Sequence, residues 1–290
     1  MKVIDKIKSN KISFSFEVFP PKTADKYDAI KDAAERVAGL HPDFMSVTYG
    51  AGGGTSEYTV SIASDIQKKF DIPVLAHLSC ISSTRAGVKR QLELIRDAGI
   101  ENILALRGDI PSGMQAPGDW EYRYASELVY EIKEFDPNIC IGGACYPECH
   151  PESKSQREDI LNMKRKVDAG CEFLTTQMFF DNNVYWNFLY KVRDAGISVP
   201  IVAGIMPVTN VRQVEKTLKL SGAQVPLKFK YMVDKFGGNA PAMRRAGIIY
   251  ATEQIVDLIA NGVTAIHLYT MNNASVAEEI KKNLQEILDI

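Results

Sequence analysis

The sequence predicts an α/β protein folded as a (β/α)8 barrel with an extra C-terminal helix, and three observations carry that expectation. Short apolar, β-rich runs alternate along the chain with longer amphipathic ones. One helix-to-strand junction recurs, as Asp97-Ala98-Gly99-Ile100, Asp168-Ala169-Gly170-Cys171 and Asp194-Ala195-Gly196-Ile197, with Asn261-Gly262-Val263 as a looser copy. Each puts Gly where a helix ends in a left-handed cap before the chain turns into a strand. Eight such units in 290 residues average about 36 residues each, the scale of a TIM barrel. A doubly wound open sheet is the runner-up. No Ser/Gly-rich linker or charge block divides the chain, so 1–290 is expected to form one domain.

Taken in order, strands are expected near 12–18, 43–48, 73–79, 102–107, 139–145, 172–178, 199–204 and 263–269. Helical patterns fall between them, near 24–39, 57–70, 85–98, 121–135, 155–169, 183–195, 210–220 and 240–261. A last helix fits 274–288. The first strand alternates strictly: Phe14, Phe16 and Val18 share one face, and Ser13, Ser15 and Glu17 share the other. In a barrel the aromatic face meets the helices and the small polar face turns inward.

Composition narrows the function. Hydrophobic residues at 46% and charged residues at 24% supply a core and exclude a disordered chain. Thirty-four basic against thirty-six acidic side chains give net −2, so no whole-surface attraction to nucleic acid or anionic lipid is expected. No apolar run approaches the roughly 18 residues that span a bilayer. The polar start, Met1 to Lys11, has no apolar segment of a signal peptide behind it. Five cysteines, an odd number, fit a reduced, cytoplasmic protein better than a disulfide scaffold.

In a barrel, chemistry gathers at the C-terminal ends of the strands. That rule selects Glu17, Thr48, Tyr49, His77, Arg107, Asp109, Tyr146, Gln177 and Tyr269. Burial of Glu17 in the barrel mouth would raise its carboxyl pKa and make it a proton donor; the other reading is a Glu held in a salt bridge. Arg107 and Asp109 either pair with each other, or Arg107 binds an anion while Asp109 recognises donors on a heterocycle or opposes a developing cation. Thr48 to Thr55 is Gly-rich but lacks both the dinucleotide fingerprint and the P-loop Lys, and fits a lid or a close backbone approach to a ligand.

Cys145, Cys149 and His150 supply at most three metal ligands with no second Cys pair, so no metal is expected. Asp159, Asn162, Arg165 and Lys166 fall about one turn apart on a helix. That stripe is either a solvated face or a seat for adenosine and phosphate. No Lys ends a strand, and neither a Gly-x-Ser-x-Gly elbow nor a His-Glu-x-x-His motif occurs.

Together the segments resemble methylenetetrahydrofolate reductase in its single-domain bacterial form. The resemblance runs from Phe14 to about Asn273. It rests on Ser15 to Pro21, Val47 to Gly50, His77-Leu78, Leu106 to Asp109, Tyr146-Pro147-Glu148 with His150-Pro151-Glu152, Lys164 to Gly170, Thr176-Gln177 and His267 to Thr270. It implies an FAD-containing barrel that reduces 5,10-methylenetetrahydrofolate to 5-methyltetrahydrofolate. NADH or NADPH would give a hydride to flavin N5 and leave, and the folate would then take it, a ping-pong scheme. A ferredoxin or another partner protein is an alternative donor.

By resemblance, Glu17 is the general acid toward folate N10, and Asp109 stands beside flavin and pterin. Flavin contacts fall on Thr48, His77, Leu106, Arg107, Gly108, Asp109, Ala144, Tyr146, His150, Asp159, Asn162, Arg165 and Lys166. Folate or nicotinamide contacts fall on Glu17, Asp109, Gln177, Gln213 and Tyr269. Two positions depart from the bacterial pattern: a substrate-packing Phe is matched by Thr217, beside Leu218, and an Arg after the Tyr-Thr pair is matched by Asn273. The resemblance also implies a homo-oligomer and no S-adenosylmethionine-binding regulatory domain. The competing readings are a pterin-dependent methyltransferase barrel without flavin and a metal-holding module built on Cys145, Cys149 and His150.

Overall fold

The computed structural model describes residues 1–9, 11–49, 56–110, 120–214 and 222–289. Eight parallel strands close into a barrel in sequence order. They are β1 Ser13–Val18, β2 Met45–Val47, β3 Val74–Ser79, β4 Asn102–Leu106, β5 Cys140–Cys145, β6 Phe173–Thr176, β7 Ile201–Ile205 and β8 Ala265–Tyr269. Around them run α2 Tyr27–Ala38, α3 Ser56–Phe70, α4 Arg85–Asp97, α5 Ala125–Phe135, α6 Gln156–Asp168 and α7 Asn182–Asp194. Later come α8 Leu227–Phe236, α9 Ala240–Ala260 and the C-terminal α10 Ala274–Leu288. Before them all, α1 Val3–Ile7 precedes the first strand.

The expected faces are the observed ones. Phe14, Phe16 and Val18 join the apolar layer between strands and helices. Ser13 and Ser15 are buried on the opposite face. Helices dock through one stripe each, as in α4, where Val88, Leu92 and Ile95 lie four and three residues apart and are buried. The repeated junction behaves alike at all four copies. Gly99, Gly170, Gly196 and Gly262 hold φ of +73°, +127°, +77° and +96°. After each one the next N–H returns to the last turn, as Ile100 N–H does to Ile95 O at 3.1 Å.

Several expectations need correction. The strand expected over 43–48 is ordered as β2 only over Met45–Val47, and the helix expected from 121 starts at Ala125. Two helices were not foreseen. α1 has five residues, too few for a periodic signal, and is stabilised by burying Val3, Ile4 and Ile7 against Phe44, Leu75, Leu104 and Phe173 at the N-terminal end of the barrel. α8 places Met232 and Val233 three and four residues after Phe229, and all three pack on the cluster that holds Phe180, Val208 and Met243, a stripe confined to ten residues. The helix expected over 210–220 begins at 211 and is described to 214. Thr217, Leu218 and the Gly-rich residues 50–55 lie outside the described residues. Among the described residues, no helix is long and apolar enough to cross a membrane.

Candidate active site

Register sets the floor of the site. Glu17 on β1 pairs with Ser46 on β2 and Tyr269 on β8, and Ser15 pairs with His267. All these side chains therefore turn inward, near the C-terminal end of the barrel. Ser46 Oγ lies 3.1 Å from Glu17 Oε2 and 3.1 Å from His267 Nε2. Ser15 Oγ lies 2.7 Å from His267 Nδ1. His77 Nε2 approaches Glu17 Oε2 to 3.4 Å and His267 Nε2 approaches it to 3.6 Å. A Cβ at Gly204 would fall 2.5 Å from the Tyr269 hydroxyl, so a bare glycine makes room for that ring. The hydroxyl donates to the Thr176 carbonyl across the barrel.

Electrostatics correct the expectation for Glu17. Burial is the largest influence on its carboxyl and pushes the pKa up, as foreseen. The polar approach of His267, the charges of His77 and His267, and the Ser46 hydroxyl together outweigh it. The carboxyl is held below its ordinary value, so Glu17 rests as a carboxylate at neutral pH. His77 is pushed down to about 4 by burial and is neutral there. Its Nε2 is buried with no hydrogen-bond partner among the described residues.

Above this floor opens a cleft of about 350 Å³. Glu17, Thr48, His77, Leu106, Arg107, Gly108, Asp109, Ala144, Tyr146, His150, Lys166, Gln177 and Tyr269 line it. A second cleft of about 290 Å³ shares Arg107, Tyr146, His150 and Lys166, and adds Asp159 and Asn162 from α6. The helical stripe that sequence left open between solvated face and ligand seat thus borders a cavity. Lys166 donates to the Ala144 carbonyl. Asp159 accepts from His150 N–H at 3.0 Å, and burial raises its carboxyl pKa. Burial, with the charges of Asp109 and Asp159, pushes Tyr146 up to about 12, so its phenol stays protonated.

Two predicted residues stand apart. Arg165 is exposed and donates to Asn162 Oδ1 at 2.9 Å without lining either cleft. Gln213 Oε1 accepts from Thr209 N–H at 2.9 Å and closes the start of its own helix, and it lines neither cleft. Asn273 caps α10, its Oδ1 accepting from Val276 N–H at 3.3 Å. Arg107 does not pair with Asp109. Its guanidinium forks onto Glu152 with two bonds of 2.6 Å. Cys145 is buried in the layer between strands and helices, and burial pushes its thiol up to about 12. No group of three metal-ligating side chains converges among the described residues.

Sequence reasoning missed Ser46, His267 and Glu152. Strand parity carries a signal for the first two, since His267 lies two residues before Tyr269 and Ser46 two before Thr48. The Arg107–Glu152 pair spans 45 positions and has no local signal.

A family model for methylenetetrahydrofolate reductase matches residues 2–285. A 5,10-methylenetetrahydrofolate reductase of Escherichia coli is 37% identical over 269 residues, covering 93% of this chain and 89% of the relative. Methylenetetrahydrofolate reductase (NADH) 1 of Arabidopsis thaliana is 35% identical over 302 residues, covering 98% of this chain. The chain spans 51% of that plant relative's length. Among solved structures, an uncharacterized protein from Clostridium thermocellum that binds two copies of 5-methyl-5,6,7,8-tetrahydrofolic acid superposes with TM-score 0.62. The identity is 18%, with 96% of this chain and 97% of that one covered, which establishes a shared fold.

Proposed function

The chain belongs to the methylenetetrahydrofolate reductase family, and from that premise we propose that its barrel-mouth cleft reduces 5,10-methylenetetrahydrofolate to 5-methyltetrahydrofolate, drawing electrons from NADH or NADPH through bound FAD. The observation that carries the reading is the two-lobed cleft. One lobe gathers Glu17, Asp109, Gln177 and Tyr269, and the other gathers Asp159, Asn162 and Lys166. A long ligand with a reactive ring at one end and a nucleotide at the other suits that shape. His77 lines the first lobe beside Glu17, with its Nε2 3.4 Å from the carboxylate.

Bound FAD would supply the hydride-carrying ring. The residues do the rest. Lys166 and Arg107 offer fixed cations for a diphosphate, with Glu152 setting the Arg107 fork. Asp159 and Asn162 offer an acceptor and an amide for the nucleoside. Asp109 borders the reactive lobe and, among the described residues, forms no ion pair. Its carboxylate would oppose the positive charge that develops on the folate when the ring containing N10 opens. Glu17 would deliver the proton to N10. A pterin methyltransferase would have no use for the second lobe.

Incubation with FAD, methylenetetrahydrofolate and either nicotinamide tests the reading. FAD-dependent formation of 5-methyltetrahydrofolate is expected. A folded chain that forms none, with either nicotinamide or with chemically reduced FAD, contradicts it.

A further inference from the structure

A general acid must hold a proton when its substrate arrives, yet the Glu17 carboxyl rests ionised. The groups beneath it resolve the conflict. His267 is 1% exposed, stacked on Phe44 with ring centroids 5.8 Å apart and planes 8° apart, and edge-on to Tyr269. The ring is therefore fixed in plane, with Nδ1 on Ser15 and Nε2 on Ser46. Both partners are hydroxyls, and each reaches a second acceptor. Ser15 Oγ lies 3.1 Å from the Ile266 carbonyl, and Ser46 Oγ lies 3.1 Å from Glu17 Oε2. A hydroxyl donates once and accepts at its lone pairs, so it adapts to a ring nitrogen in either protonation state.

Three arrangements satisfy every one of these groups. Without an extra proton, Ser15 donates to Nδ1, Nε2–H donates to Ser46, and Ser46 donates to the Glu17 carboxylate. With an extra proton on the ring, Ser15 turns to the Ile266 carbonyl and accepts from Nδ1–H, while the Ser46 and Glu17 bonds stay as they were. In the third, the Nε2 proton has passed to Ser46 Oγ as the Ser46 hydroxyl proton passed to Glu17 Oε2. Glu17 is then a carboxylic acid donating to Ser46, which donates to a neutral ring. The last two differ by two short proton shifts, and neither loses a hydrogen bond.

We infer that His267 holds the catalytic proton for Glu17 and passes it through the Ser46 hydroxyl. The inference rests on the proposed reductase reading, in which Glu17 acts on N10. His267 touches no substrate in this account and is a positioning residue that works through Ser46. Glu17 gives its proton to N10 and is left as carboxylate. The net reduction by NADH consumes one proton, which enters from solvent and reloads the pair once the product has left. His77 does not serve as the store, because it is neutral and its Nε2 bonds to nothing among the described residues. The titratable groups facing the ring and carboxylate are His77 from β3 and Tyr269 from β8, with Tyr146 beyond Tyr269. From β2 and its approach come Ser46 and Phe44, neither of which titrates.

Two measurements on the full chain decide it. In the first, protein carrying isotope-labelled imidazole is titrated by NMR, with four His signals to follow and His267→Gln to assign the relevant one. The His267 signal is expected to respond to Glu17→Gln, because the proton it shares through Ser46 loses its other seat. A His267 signal indifferent to Glu17→Gln overturns the inference. This readout needs no turnover, so it stands apart from whether the chain reduces methylenetetrahydrofolate. In the second, single-turnover folate reduction is followed against pH in Ser46→Ala and Ser46→Thr. Loss of the hydroxyl is expected to slow reduction about tenfold or more and to shift its pH profile, and Ser46→Thr is expected to restore both. A Ser46→Ala profile that keeps the wild-type shape, or a Ser46→Thr variant no better than Ser46→Ala, overturns it.

Discussion

Glu17 and His77 lie 3.4 Å apart, and both are held below their ordinary pKa values. The folded His77 titrates near 4 where a free His titrates near 6.5. Between those values the unfolded chain binds a proton that the folded chain refuses, so stability falls as pH drops through that window. A carboxylate held below 4.5 adds stability above that value and loses it as pH falls through its lower folded value, so Glu17 acts in the same direction at more acid pH. Thermal melts from pH 7 to pH 4 are expected to show the loss, and His77→Gln is expected to flatten it between 6.5 and 4. An unchanged slope in that variant would contradict the burial argument. Glu17→Gln is expected to lower folate reduction by about 10²-fold or more while leaving FAD affinity nearly unchanged, measured by stopped-flow and by equilibrium binding. Equal losses in both would remove the acid role. At this scale the sequence was most legible where strand parity applied. Glu17, His77 and Tyr269 were named because a strand end in a barrel faces the mouth. Ser46 and His267 share that parity but are fully buried, where a residue reads as core. Glu152 and the outward Arg165 depend on loop and rotamer geometry that no spacing encodes.

Elements were legible in proportion to their length and their exposure to a single neighbour. The four glycine-capped junctions were readable because a positive φ favours glycine, whereas His41 and Asp71 hold positive φ after α2 and α3 without that signal. α1 was not readable, since its five residues owe their shape to what they pack on, whereas α8 carried a short stripe, Phe229 with Met232 and Val233, that went unread. Close packing also sets limits inside a long helix. On α9, a Cβ at Gly247 would stand 1.9 Å from the Val208 carbonyl oxygen, which is backbone and cannot swing away. Gly247→Ala is therefore expected to cost about 1–3 kcal/mol by overpacking, despite alanine's better helix propensity, and a thermal or urea melt reads it. A variant as stable as wild type would mean that α9 slides freely over the loop after β7.

Across the whole molecule the barrel separates stability from chemistry. α1 buries Val3, Ile4 and Ile7 into the N-terminal end, among Phe44, Leu75, Leu104 and Phe173. The clefts open at the opposite end of the strands. Ile4→Ala is thus expected to cost about 2–5 kcal/mol in a denaturant melt without changing the FAD affinity of the protein that remains folded. Loss of FAD binding in folded Ile4→Ala would show that the two ends are coupled. The central claim concerns the other end, where the mouth cleft is read as a seat for FAD and methylenetetrahydrofolate in turn. The most direct test is the visible spectrum of the protein with FAD, recorded without oxygen, first with NADH or NADPH and then with methylenetetrahydrofolate. Flavin bands that bleach with a nicotinamide and return with the folate are the predicted result. A folded protein that neither carries nor takes up FAD would contradict the account.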